Sequence, residues 1–239
     1  MTLPVRPLSP GWAGGTVHRT DDPLRWDSGR PGPEVLVLPA LWWPPAHSLP
    51  ANVRAAVLLG VPTVRPLPGP IPVVAGVDPD LVREGETVEV NGSKGTISIA
   101  GVREVEVVTA FLERGDGRIL LLERSSKVGS FRGRWAGVSG FLEATTPLEQ
   151  AYREVEEETG LARGRLELRA SGDPVLARHE NVVYVVHPFR FGVGEVDVRL
   201  DWEHVRCEWV DPSEVRHRST VPKLDRAWEA VARVPTPKG

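Results

Sequence analysis

Residues Pro147–Leu161, reading Pro-Leu-Glu-Gln-Ala-Tyr-Arg-Glu-Val-Glu-Glu-Glu-Thr-Gly-Leu, constrain this chain more than any other stretch. They predict a helix with defined ends: Thr145 or Thr146 suits the N-cap, Pro147 the first helical position, and Gly160 the left-handed residue that follows the last turn. Leu148, Ala151, Tyr152, Val155 and Thr159 recur at helical spacing and predict one buried face. Glu154, Glu157 and Glu158 stand at i, i+3 and i+4, so their carboxylates project from adjacent turns. Like charges so placed repel, and a hard divalent cation such as Mg²⁺ or Mn²⁺ relieves the repulsion because it takes clustered carboxylate oxygens. The plainer reading is a solvated acidic face. Against it stand Arg153, four residues before Glu157 and within reach of an ion pair, and the apolar Val155 and Leu161 at packing positions.

Taken as a whole, Arg153–Leu161 resembles the second half of the Nudix box, G-x5-E-x7-R-E-U-x-E-E-x-G-U with U apolar, and matches every defined position of that half. The first half departs from the pattern. Aligned through Arg153, the box glutamate falls on Thr145 and the box glycine on Ser139, with Gly140 one place later. The loop before the helix looks one residue short, and Glu143 is the acid near enough to take over part of the missing carboxylate's role; the alternative is that nothing does.

The resemblance implies a divalent-metal-dependent hydrolase that cleaves a pyrophosphate bond in a nucleoside diphosphate linked to another moiety, with Mg²⁺ or Mn²⁺ as cofactor. Residue by residue it implies Glu154, Glu157 and Glu158 as metal ligands, with Glu154 also the base, and a main-chain carbonyl at Ser139 or Gly140 completing that side. Arg153 belongs to the catalytic motif, and Glu203 suits the further loop glutamate that the family often recruits before its last core strand; Glu208 suits it less well. Arg124, Lys127, Arg132 and Arg134 lead into the box, and Arg124, Arg132 and Arg134 are the expected phosphate-binding side chains, since guanidinium groups bind phosphate oxygens in pairs. Trp135 reads as core, and His179-Glu180 could face substrate. A rival reading keeps the fold and gives it a non-catalytic role, as a nucleotide-binding sensor or regulator, supported by the loss at Thr145.

At 239 residues the chain suits two domains. Prolines crowd the first eighty residues, suggesting a boundary near Gly101, with residues 1–101 and 105–232 as the two domains. In the second, Val105–Glu113 and Arg118–Glu123 predict a hairpin around Gly115-Asp116-Gly117. Strands are expected at Asn181–Phe191, Val196–Leu200 and Cys207–Val210, and a closing helix from Lys223 to Arg233 with Leu224, Ala227, Trp228 and Val231 inward. The fold class is therefore α/β: the α/β/α sandwich of Nudix domains, preceded by a smaller β-rich α/β domain.

That first domain carries Ser9-Pro10-Gly11, Gly14–Val17, Pro33–Pro39, Gly60–Val64, Glu84–Gly92 and Gly95–Ile99 in order. The succession resembles the swivelling phosphohistidine domain of phosphoenolpyruvate-utilising enzymes. Its carrier histidine, aligned from Gly60, falls on Ala51, while His47 sits four residues early, so carrier activity is not expected. Asn91-Gly92 reads as a type I′ hairpin turn, and Trp42–Pro45 as packing.

A net charge of −3 and a pI of about 6.1 argue against a nucleic-acid surface, and hence against an mRNA-decapping role. Cys207 is the single cysteine, so no intrachain disulfide can form, which suits a reducing cytoplasm. Met1–Arg6 lack an apolar signal core, and no uncharged run is long enough for a bilayer. The expected partner is a small nucleotide; a dimer is compatible with the sequence.

Overall fold

The structure, a computed structural model, describes residues 1–21, 32–39, 49, 51–61, 71–143 and 145–232. His47, the Trp42–Pro45 cluster and Pro62–Val64 lie outside the described residues. The chain divides into two compact units, Met1–Arg103 and Glu104–Gly239.

The first unit holds eight strands: β1 (Thr2–Pro4), β2 (Arg6–Ser9), β3 (Trp12–Arg19), β4 (Glu34–Leu38), β5 (Val53–Leu58), β6 (Val73–Ala75), β7 (Thr87–Asn91) and β8 (Thr96–Ile99). They form one sheet in the order β1-β8-β7-β3-β4-β5-β6-β2. The central pairs β3–β4, β4–β5 and β5–β6 are parallel. Val35–Leu38 and Ala55–Leu58 are correspondingly unbroken apolar runs, buried throughout, because parallel strands at a sheet centre are covered on both faces. The turn at Asn91-Gly92 differs from expectation. Asn91 pairs with Thr96, leaving a four-residue loop rather than two, and the Asn91 side chain accepts from the Lys94 amide at 2.9 Å. That local bond favours the longer turn.

The second unit is built on β9 (Arg103–Glu113), β10 (Ile119–Arg124), β11 (Trp135–Ala136), β12 (Val138–Phe141), β13 (Glu167–Ser171), β14 (Val175–His179), β15 (Val182–Gly192) and β16 (His204–Val210). Their order is β11-β10-β9-β15-β13, with β12 also on β9, β14 on β15 and β16 on β10. Helices α1 (Pro147–Thr159) and α2 (Leu224–Ala232) cover opposite faces. The period-two alternation of strands explains how. Val108, Ala110, Leu112, Leu120 and Leu122 pack with Ala151 and Val155 of α1, while Phe111, Ile119 and Leu121 pack with Leu224, Ala227 and Val231 of α2. Trp228 completes the α2 layer edge-on to Phe111, with ring centroids 5.3 Å apart. Trp135 is buried as expected, with Arg206 and Arg218 at 4.9 and 5.0 Å from its ring.

Two local expectations change. The Gly115–Gly117 turn forms, but β9 and β10 meet in register only at Glu113 and Ile119. Beyond the turn β10 pairs with β16 and β11, since a central strand has its ladder groups satisfied by whichever neighbours the sheet supplies. Val196–Leu200 is not a strand. Its alternation is real, with Val196, Val198 and Leu200 packing against the α1 core, but the segment is tied instead by Arg199 donating to the Thr159 carbonyl at 3.0 Å.

Candidate active site

Helix α1 starts where Thr146 accepts the Glu149 amide at 3.3 Å and ends at Gly160, whose φ of 72° lets its N–H reach the Glu156 carbonyl. Its inward residues fix the rotation of the three glutamates about the axis. Glu154 and Glu157 emerge into a cleft of about 280 Å³, whereas Glu158 turns inward and is only 3% exposed. The ion pair expected between Arg153 and Glu157 is not formed. Arg153 instead reaches back to Glu143 at 2.8 Å, and Arg153 itself does not line the cleft.

Val107 and Thr109 of β9 line the cleft, and Val221 and Pro222, just before α2, contribute to its wall. One end is acidic, with Glu143, Glu154, Glu157 and Glu203. Among the described lining residues Arg124 is the one cation, and Phe131, Phe141, Tyr184 and Val186 make the remainder largely apolar. Phe131 is held at a φ of 53°, its ring 4.7 Å from His179 and 5.9 Å from Tyr184.

Burial lifts the Glu154 carboxyl above its ordinary value; a hydrogen bond from Gln150 at 2.7 Å opposes this, and the charges of Glu157, Glu203 and Glu143 add to it. Burial likewise pushes Glu158 well up, with Glu154 and Asp201 contributing. Gly140 sits directly against Glu154: a Cβ there would overlap the carboxylate. The Ser139 amide donates weakly to Glu158 Oε1 at 3.4 Å, while Glu158 Oε2 is buried without a hydrogen-bond partner. Among the described residues no three His, Cys, Asp or Glu side chains already converge as a cage. Even so, mutually repelling carboxylates with an orphaned buried oxygen have the donor chemistry of a hard divalent cation site.

Arg132 and Arg134 do not line the cleft. Both are exposed; Arg132 donates to the Val128 carbonyl at 2.8 Å and Arg134 to Ser219 Oγ at 2.7 Å. The loop curls back on β10, with Gly133 donating to the Arg124 carbonyl and Arg124 to that of Arg134, which turns these two side chains away. Glu208 is engaged by Arg218 at 2.6 Å and is absent from the lining, whereas Glu203 is part of it.

Three contributors escape sequence reasoning. Gln150, 2% exposed, holds Glu154, and its signal is the i, i+4 spacing on the helix. Asp201 accepts from both the Glu203 amide and His204 Nδ1 at 3.0 Å. His204 itself is buried, and burial lowers its pKa against the opposing bond from Asp201.

The NUDIX domain family model matches residues 103–231. No curated protein matches the chain. Similar solved structures include the MutT protein of Methanosarcina mazei Go1 at 24% identity, covering 54% of this chain and 92% of that one with a TM-score of 0.46. A C. elegans Ap4A hydrolase binary complex is 16% identical, over 53% of this chain and 93% of that one, TM-score 0.47. The NUDIX domain of Shewanella oneidensis NrtR, complexed with ADP ribose, is 17% identical, over 54% and 86%, TM-score 0.45. With the family model spanning more than half of its length, this chain belongs to the Nudix family.

Proposed function

We propose that the Glu104–Gly239 unit hydrolyses a pyrophosphate bond in a nucleoside diphosphate linked to another moiety, with Mg²⁺ or Mn²⁺ held by Glu154, Glu157 and Glu158 and the Gly140 carbonyl beside them. The observation that carries this reading is the opening of Glu154 and Glu157 into the same cleft as Glu203 and Arg124. A divalent cation bound there would screen phosphate charge and acidify water. The chain's own residues do the rest. Glu154, whose pKa burial raises, is the base that takes the water proton as the water oxygen bonds to phosphorus and the bridging P–O bond breaks. Gln150 fixes one Glu154 oxygen, Arg124 supplies the cation for a phosphate oxygen, and Glu203 completes the acidic end. Phe131 and Tyr184 offer flat apolar surface to the organic portion of the substrate. Arg153 acts through Glu143 rather than on substrate.

For the first unit the proposed role is a swivel-like domain without carrier chemistry, supported by exposed Ala51 at the histidine position. The single free cysteine suits a cytoplasmic setting.

The test is a panel of nucleoside diphosphate derivatives incubated with Mg²⁺ or Mn²⁺, with released phosphate and nucleoside monophosphate quantified. Metal-dependent cleavage of at least one member is expected. Binding without cleavage across the panel would replace this reading by the nucleotide sensor, which the loss of a carboxylate at Thr145 favours.

A further inference from the structure

The pairing of β10 with β16 shifts register between Glu123 and Arg124, opposite the first residue of β16. Bulges of this kind re-aim side chains. Glu203, just before β16, and His204, its first residue, go opposite ways, Glu203 into the cleft lining and His204 into the body of the unit, 6% exposed. There His204 Nε2 stands 3.7 Å from Glu158 Oε2. Both atoms are buried and neither has a hydrogen-bond partner. The other ring nitrogen is spoken for: Nδ1 lies 3.0 Å from Asp201 Oδ1.

A carboxylate is an acceptor, so Nδ1 carries the proton and Nε2 of the neutral ring presents a lone pair. Nε2 and Glu158 Oε2, each without a hydrogen-bond partner, then face each other in the buried interior. A direct hydrogen bond requires about 2.7–3.2 Å between nitrogen and oxygen, and the observed separation is longer. Two bonds of about 2.1 Å to one metal ion span roughly 3.0 Å at a right angle and roughly 3.4 Å at a tetrahedral one, so a shared cation is reached by a side-chain adjustment well under about 1 Å. A carboxylate on the far nitrogen is also the arrangement that orients metal-bound histidines and raises their donor strength.

We propose that His204 is itself a metal ligand, its Nε2 joining Glu158 Oε2 on a divalent cation, with Asp201 orienting the ring. The proposal rests on the reading of this end of the cleft as a cation site, and extends it from an all-oxygen donor set to a mixed one. An imidazole nitrogen favours Mn²⁺ and later transition metals over Mg²⁺, which prefers oxygen. The Asp201 carboxylate, which also receives the Glu203 amide, couples the orientation of the histidine to that of the cleft glutamate.

The deciding experiment is pulsed electron paramagnetic resonance of Mn²⁺ added to the metal-free full chain, alongside calorimetric titration with Mn²⁺ and with Mg²⁺. Wild-type protein should show hyperfine coupling to a directly bound ring nitrogen. His204→Gln should abolish it and weaken Mn²⁺ binding about 10- to 100-fold, with a smaller loss for Mg²⁺, and Asp201→Asn should weaken Mn²⁺ less than His204→Gln does. Mn²⁺ binding without nitrogen coupling in the wild type, or coupling that persists in His204→Gln, overturns the ligand role while leaving the glutamate site intact. Absence of any Mn²⁺ binding overturns both. Should His204→Gln not fold, the wild-type spectrum decides alone.

Discussion

Glu154 shows how a side chain acquires its function from its neighbours. Its position in the acidic run is plain from the sequence, but its elevated pKa arises from burial and from the charges of Glu157, Glu203 and Glu143. Replacing the carboxylate by an amide keeps shape and removes the base, so Glu154→Gln should lower kcat by about 10²–10⁴-fold with Tm little changed, measured by steady-state turnover and thermal melting. Gln150 donates to Glu154 and thereby holds its pKa down against burial. In Gln150→Leu that restraint is lost. Because the base works deprotonated, the rise of kcat/KM with pH should then move to higher pH, as a pH–rate profile would reveal; an unmoved limb would deny Gln150 this part. His204 and Asp201 lie three residues apart in sequence, yet nothing in that spacing foretells that they meet Glu158.

Helix α1 was the most legible element because its ends, its apolar stripe and its acidic stripe agree. Thr146 provides its N-terminal cap at the surface, and Thr146→Ala should cost about 1 kcal/mol in denaturant unfolding with turnover per folded molecule retained. Strand β12 contributes in a different way. Gly140 is where backbone meets the Glu154 carboxylate, so Gly140→Ala must displace that carboxylate, and activity should fall well before stability does. Turnover measured at matched folded fraction separates the two effects. The elements read less well were those whose partners are distant in sequence. The β9–β10 hairpin was legible from its turn residues, yet β10 spends its length against β16. Val196–Leu200 alternates like a strand but lies on the core without a ladder, since alternation reports burial on one side and not hydrogen bonding.

At the scale of the molecule, the chain has two compact units, and burial in the second raises the pKa values of Glu154 and Glu158. Glu154 and Glu158 bind protons more tightly in the folded state than in the unfolded one, so between the ordinary glutamate pKa and their raised values the native state holds the extra protons. The slope of unfolding free energy with pH is negative there. These two groups therefore make metal-free protein less stable as pH rises above about 4.5, a trend that saturating Mn²⁺ should reverse and Glu158→Gln should flatten in thermal melts across pH. Relief of each kcal/mol would raise Tm by roughly 2–4 °C for a chain of this length. The sequence by itself determined the helix, its caps and the chemistry of its acidic stripe, along with the α/β class and the membership of the Nudix family, because these depend on residues close together in the chain. Tertiary structure alone decided which acids share the cleft, that Arg153 serves Glu143, that Arg132 and Arg134 turn away from Arg124, and that His204 faces Glu158. The physical reason is common to all four. A helix carries its own register, whereas the direction of a loop or strand side chain is set by pairing and packing with segments tens of residues away.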